Sequence, residues 1–408
     1  MLENGNEHSN STKISIYDMK QFELLAPAGD FPSMIAAVSA GTDAVYFGLR
    51  EFNMRDSAKN FAVKDLDKIG KICKNTKKYL ALNTIIYDNE LKKLEGIIKK
   101  VKGKVDAIIC WDNSVIELCR KYKIPFHIST QASVSNSASA RFYKKLGAER
   151  IVLARELNLK QIKEISKIID VECFIHGAMC VSESGRCFTS QFLENKSANR
   201  GQCLQFCRRA YIIKDEDGNE LKLENSRVMS AKDLCSLPFI EKLKGAGIKA
   251  FKIEGRNRSP EYVQTVVSVY RKALDNKLTK EEIKTSLEQL RAVYNRGFSS
   301  GFYLGSPTSD DFSRTRDGEA KERKMILGTI EKYWPKVSVA ALKINAGKLQ
   351  LGDEIYIIGK NSGLSRARIT RLEVDHQPIS VAKKGMMVGV KVPKCYKGDS
   401  VFRIERKP

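Results

Sequence analysis

From residue 21 onward the chain alternates two patterns of apolar and polar positions. Short, almost continuous apolar runs recur at 22–26, 44–47, 79–83, 107–110, 126–129, 151–154, 171–175 and 250–253. Runs of this length and character predict strands buried on both faces of a parallel sheet. Between most of them lie longer stretches with apolar residues at helical spacing: 31–40, 66–77, 90–100, 114–122, 137–146 and 159–169. Asp30 stands where the first would need an N-cap. Eight strand-then-helix units predict an α/β fold of the (β/α)8 TIM-like barrel type, whose site gathers at the C-terminal ends of the strands. A doubly wound open sheet is the alternative arrangement of the same units.

One connection breaks the rhythm. More than seventy residues separate the seventh run from the eighth, forming a cysteine-rich insertion over about 176–235. Within it, 211–230 reads as a hairpin turning at Asp217-Gly218-Asn219. Two more helical stretches, 261–274 and 280–294, complete a main domain expected over 21–295. Residues 296–320 are rich in Gly, Ser and Asp and read as a linker. Beyond them the pattern turns all-β. Six short strands, at 325–333, 337–343, 354–358, 367–372, 387–392 and 401–404, predict a small C-terminal barrel over 321–408. Residues 1–20 are polar and read as a disordered tail without a signal peptide.

Charge sharpens this division. The 408 residues carry 71 Lys+Arg and 48 Asp+Glu, a net +23. Residues 321–408 hold 19 basic and 8 acidic side chains, so +11 falls on the small domain, while the tail carries about −1. Such concentration points to a polyanion, with nucleic acid first. The bland alternative is a solvated basic surface. No run of about 18 apolar residues occurs, so no transmembrane helix is expected.

Six of the ten cysteines fall within residues 173–235. Cys173 lies inside the seventh strand run and Cys110 and Cys119 in regular elements, all expected as small core residues. Cys180, Cys187, Cys203 and Cys207 have Gly, Ser and Arg neighbours and sit on loops, where thiolates can converge on a metal. Cys235 is a fifth candidate. The intervening gaps of six, fifteen and three residues are irregular for zinc knuckles, and suit an iron–sulfur cluster better. Zinc, redox or purely structural thiols remain alternatives.

Polar residues at the strand ends mark the rest of a site. His127 and His176 end the fifth and seventh runs, where each could face the barrel mouth or be a buried imidazole satisfied by backbone. Arg55, Arg155 and Arg256 fall on loops after strands, with Glu254 close to the last. Three guanidinium groups at one mouth would hold carboxylate or phosphate bidentately, unless each pairs with a neighbour such as Glu156 or Glu254. HExxH and G-x-S-x-G motifs are absent, so a zincin or a serine hydrolase elbow is not supported.

The segments ELLAPAGDFPSMIAAVSAGTDAVYFG, FNMRDSAKNF, FIHGAMCVSESGRCFTSQFLENKSANRGQCLQFCRRAY, FKIEGRNRSPEYV and YNRGFSSGFYLG resemble the collagenase-like peptidases of unassigned catalytic type, over roughly residues 22–304. The small domain resembles the β-barrels of translation factors through LGDEIYIIG, GMMVGVKV and GDSVFRI. The family name implies proteolysis. Other members imply iron–sulfur-dependent, oxygen-independent hydroxylation, of the wobble uridine in tRNA with prephenate as co-substrate, of a cytidine in large-subunit rRNA, or in ubiquinone synthesis. The resemblance places 4Fe-4S ligands on Cys180, Cys187, Cys203 and Cys207, with Cys235 as the alternative fourth ligand of the ubiquinone-type members. The expectation is therefore a cytoplasmic enzyme that converts tRNA uridine to 5-hydroxyuridine, with a small dicarboxylate in the arginine pocket and room for a partner paralogue. A peptidase or a cluster-bearing binding module are the rivals.

Overall fold

The computed structural model describes residues 22–315 and 318–407. The expected tail at 1–20 lies outside the described residues. Seven strands, β1 (Glu23–Pro27), β2 (Ala44–Gly48), β3 (Lys77–Ala81), β4 (Ala107–Cys110), β5 (Phe126–Ile128), β6 (Arg150–Val152) and β7 (Asp170–Gly177), follow one another with helices between. The insertion carries a short hairpin, β8 (Ile213–Lys214) and β9 (Glu220–Leu221), and ends in β10 (Asp233–Cys235). β11 (Ala250–Ile253) then pairs in parallel with both β1 and β7. That double pairing closes an eight-stranded parallel barrel and excludes the open doubly wound sheet.

Local chemistry explains the elements. Asp30, Asp112, Asn136 and Asn158 each accept a backbone N–H of the first helical turn, and Gln161 completes a capping box with Asn158. Strand side chains alternate. Leu24, Val45, Phe47, Leu80 and Ile108 point outward under the helices, where Leu66, Ile69, Leu94 and Ile98 cover them. Leu25, Ala44, Tyr46, Tyr79, Ala107 and Ile109 form a separate cluster inside the barrel. Cys110, Cys119 and Cys173 are buried in the outer core, as their positions predicted.

The barrel interior is not all apolar. Lys77 pairs with Glu23 (3.1 Å), Glu23 with Arg150 (2.5 Å), Arg150 with Glu172 (3.4 Å) and Glu172 with Lys252 (2.6 Å). Burial pushes the Glu23 carboxyl up, but Arg150 and Lys77 outweigh it and hold it down to about 2. A carboxyl lowered on folding stabilises the native state fully above its unfolded value near 4.5. That contribution, on the order of 2–3 kcal/mol, drains away as pH falls from there toward 2. Urea melts across this window are expected to show that loss, and Glu23→Gln to flatten it.

The chain after the barrel does not hang free. Residues 296–315, expected as a linker, return over the insertion. β12 (Phe298–Ser299) pairs with β10, Lys232 N donates to Asp311 O (2.8 Å) and Ser313 N to Ser230 O (2.7 Å). Arg296 and Asp233 form a fully buried ion pair at 2.6 Å. Gly and Ser made the segment look like a linker, but its anchors are long-range contacts that leave no local pattern.

The small domain contains ten strands among the described residues: β13 (Glu322–Trp334), β14 (Val339–Ile344), β15 (Lys348–Gln350), β16 (Glu354–Gly359), β17 (Gly363–Arg368), β18 (Leu372–Val374), β19 (Gln377–Pro378), β20 (Val381–Lys383), β21 (Met387–Lys391) and β22 (Ser400–Arg406). Eight form one antiparallel sheet and β15 with β20 a separate ribbon, all around a core of Leu327, Ile330, Leu342, Ile355, Val388 and Val401. Six strands were expected; the run at 367–372 divides into β17 and β18, and β15, β19 and β20 are too short to show a period. The domain sits on the first barrel helix (Phe31–Ser39): Ala36 packs with Tyr356 and Leu364, and Ile35 lies where Gly363 would carry a Cβ.

Candidate functional site

A cavity of about 510 Å³ opens at the C-terminal ends of the barrel strands, under the insertion. Its floor is Tyr46, Ile109, Phe174 and Lys252 from the strands, and its wall includes Met54, Arg55, Arg155, Arg256, Arg258 and Glu254 from the loops that follow them. The insertion supplies the roof, with Cys180, Cys187, Cys203, Cys207 and Arg208 all lining the same space.

The roof is fixed to the barrel by its own residues. Arg200 forks onto Glu90 (2.8 and 2.5 Å) and Ile85 O (2.6 Å). Asn199 receives Cys187 N (3.1 Å) and its carbonyl accepts from Thr84 (3.2 Å). Gly201, at φ +92°, brings its backbone against the loop carrying Arg55; a Cβ there would lie 2.6 Å from Asn53 O. Only glycine meets both demands. Arg208 donates to Ala231 O (2.9 Å) and to Met179 O, tying the two ends of the insertion together.

The four loop cysteines are placed in common, Cys180 and Cys203 exposed and Cys187 and Cys207 half-buried. Cys180 Sγ shares a hydrogen bond with Ser182 Oγ (3.1 Å), and Cys187 Sγ donates to Thr189 Oγ1 (3.2 Å) while accepting from Thr189 N (3.4 Å). Desolvation pushes the Cys180 thiol up, but Ser182 and the charges of Arg155 and Arg208 outweigh it and bring it below the ordinary thiol range. Desolvation raises Cys207; the Arg208 charge opposes this, and the neighbouring Cys180 and Cys203 add to it. Among the described residues no three His, Cys, Asp or Glu side chains close on a single ion-sized point. Cys235 is elsewhere: it is buried in β10, with the Tyr270 hydroxyl 3.7 Å from its sulfur.

The arginines converge as expected, and their pairing differs from the neighbour-to-neighbour alternative. Glu254 takes Arg55 (3.0 Å), not Arg256. Arg155 lies flat over the Phe174 ring, 3.8 Å from its centroid, and donates to Ala178 O (2.8 Å). Its Nε, like Nη1 of Arg256, is buried without a hydrogen-bond partner among the described residues. Burial pushes Arg256 down to about 10, still a cation at neutral pH. Gly48 leaves the room it occupies, since a Cβ there would meet Arg256 Nη1 at 2.4 Å. Three carboxylates, Glu156, Glu183 and Glu254, line the cavity against six guanidinium groups and Lys252, so the pocket is positive, and two of those guanidinium groups keep buried donors without a partner among the described residues, the arrangement of a site for an anion.

The histidines stay out of this cavity. His127 is buried deeper in the barrel against Tyr79, its ring held neutral by burial and by Arg150. His176 is packed among Tyr262, Tyr270 and Phe298, and burial pushes it down to about 3. Both positions point these rings into packing layers beside the mouth rather than into it. Among the described residues, none that lines the cavity is a histidine. Four cavity or support residues were not singled out from the sequence, Lys252, Arg208, Arg258 and Arg296, and the three arginines gave no separate signal. Lys252 carried one, a lone charge in the middle of an apolar strand run, because such a charge must be paired or face a site.

Comparison with known proteins agrees with this architecture. The model of Peptidase family U32 matches residues 29–313. A protein named collagenase from Porphyromonas gingivalis is 38% identical over 96% of this chain and 99% of its own length. The tRNA hydroxylation protein P1 of Bacillus subtilis is 38% identical over 83% of this chain and 84% of its own. A 23S rRNA 5-hydroxycytidine synthase of Escherichia coli is also 38% identical, over 62% of this chain and 39% of its own. With the barrel from its first helix onward, the insertion and the segment that staples it inside the matched region, the chain belongs to peptidase family U32.

Proposed function

We infer that the chain is an RNA-modifying hydroxylase, and that it converts the wobble uridine of tRNA to 5-hydroxyuridine. The observation that carries this reading is the convergence of four loop thiols and several incompletely paired arginines on one cavity. The near full-length likeness to a tRNA hydroxylation protein supports RNA as the substrate class, as does the +11 charge of the small domain.

In this reading Cys180, Cys187, Cys203 and Cys207 hold a 4Fe-4S cluster. The donor set fits, being soft, spread over three loops and faced by arginines that offset thiolate charge. Bound there, the cluster supplies redox chemistry that no side chain of the pocket has. The protein's own residues do the rest. Arg155 and Arg256 present unused donors to the carboxylates of a small dicarboxylate, with prephenate the proposed co-substrate. Glu254 keeps Arg55 in place, and Phe174 gives Arg155 a rigid bed.

Deleting the gene and measuring tRNA nucleosides by mass spectrometry tests the reading; 5-hydroxyuridine is expected to disappear or fall sharply, and an unchanged level overturns it. The collagenase-named relative favours a second reading, cleavage of collagen-like protein. Gelatin cleavage that survives Cys180→Ala in purified protein would support that one instead.

A further inference from the structure

We propose that one end of the small domain is a stacking platform for unpaired bases of single-stranded RNA. The inference rests on RNA being the substrate, and adds where and how it is held. The platform is built from two segments. The first is the turn from β13 toward β14, Lys332-Tyr333-Trp334-Pro335-Lys336-Val337; the second is the loop after β21, Lys391 to Lys397. Backbone bonds bring them together. Val392 N donates to Ser338 O (2.9 Å), and Gly398 N donates to Ile330 O (2.8 Å), so the loop crosses the end of β13. Asp399, itself buried, accepts Tyr396 N (2.8 Å) and pins the loop's last turn.

Two aromatic rings are left on the surface there. Trp334 is 41% and Tyr396 39% exposed. Each has a lysine ammonium over one face of its ring, Lys332 Nζ 5.0 Å and Lys394 Nζ 5.6 Å from the ring centroids, so a base would stack on the other face or displace the lysine. Lys336, Lys391 and Lys397 are exposed on the same two segments, and neither segment contains a carboxylate. A folding core has no use for exposed rings, and a merely solvated basic face has no use for tryptophan. Exposed rings among several cations match an unpaired strand, whose bases are free to stack and whose phosphates the lysines can meet. Duplex RNA hides its bases and would find only the lysines. An acidic peptide would satisfy the lysines without needing flat rings, and an anionic membrane would demand deeper apolar side chains than this end presents.

The test uses the full chain. Tryptophan fluorescence is followed while a single-stranded oligouridylate, the same sequence as a duplex, or phosphatidylglycerol vesicles are added. Stacking predicts quenching by the single strand, with weaker binding of the duplex and vesicles. Trp334→Ala and Tyr396→Ala should each weaken the single strand on the order of tenfold. Trp334→Phe should keep most of the affinity while losing the quench, which separates stacking from damage to the fold. Equal binding of single strand and duplex, no loss in the alanine variants, or preference for vesicles overturns the platform. Should hydroxyuridine depend on the gene while Trp334→Ala binds RNA normally, the platform fails and the enzymatic reading stands. Should hydroxyuridine not depend on the gene while the single strand still stacks, the reverse holds.

Discussion

Cys203→Ala is expected to bring tRNA 5-hydroxyuridine down to the level of a deletion strain, a loss of about a hundredfold or more. Cys203 lines the cavity with Cys180, Cys187 and Cys207, and a cluster held by four thiolates has no spare ligand on this roof. The same variant, purified without oxygen, should contain little iron and lack the brown absorption of the parent. Cys180→Ala, Cys187→Ala and Cys207→Ala are expected to behave alike. Cys235→Ala is the control. Its sulfur is buried beside Tyr270 and does not line the cavity, so hydroxyuridine and iron should persist while stability falls by about 1 kcal/mol. Loss of iron in Cys235→Ala with retention in Cys207→Ala would transfer the fourth ligand to Cys235.

The second large effect is expected at Arg256. This side chain is 5% exposed and holds one N–H group without a partner. A lone buried cation is costly, so Arg256→Met should leave the fold as stable or gain about 1 kcal/mol. Binding should move the other way. Removing a charged donor from an anion site weakens a dicarboxylate on the order of tenfold to a hundredfold. Arg256→Lys should recover little of that, because an ammonium cannot reproduce a planar fork. Calorimetric titration with prephenate beside a thermal melt reads both quantities. Unchanged affinity would remove Arg256 from the pocket; lower stability with unchanged affinity would make it a structural residue.

Much of this molecule could be read along the chain, for a physical reason. Parallel strands buried on both faces must be apolar throughout, so β1 to β7 and β11 announced themselves. The Asp217-Gly218-Asn219 turn announced β8 and β9, and the cysteine spacing marked the roof. What stayed hidden was built from long-range pairs. β10 and β12 are two or three residues long and include Asp233 and Ser299, so they carry no alternation. Arg296 resembled any loop arginine until Asp233, over sixty positions earlier, was found beside it. His176 sits near the end of β7 and His127 in the middle of β5, yet a strand offers two sides, and sequence position alone does not choose between the cavity and the packing layer next to it.

The Arg296–Asp233 staple also sets an order of events. A ribosome makes the cysteines well before it makes Arg296, β12 and Ser313. Until those emerge, Asp233 lacks its ion-pair partner and β10 lacks one neighbour, although Arg200, Asn199 and Arg208 can already tie the roof to the barrel and its two ends together. The roof is therefore completed late in synthesis, after every barrel strand has been made. A chain released after residue 295 would carry all four roof thiols on a loop still waiting for its clasp, whereas one released after residue 315 would carry them on a finished lid.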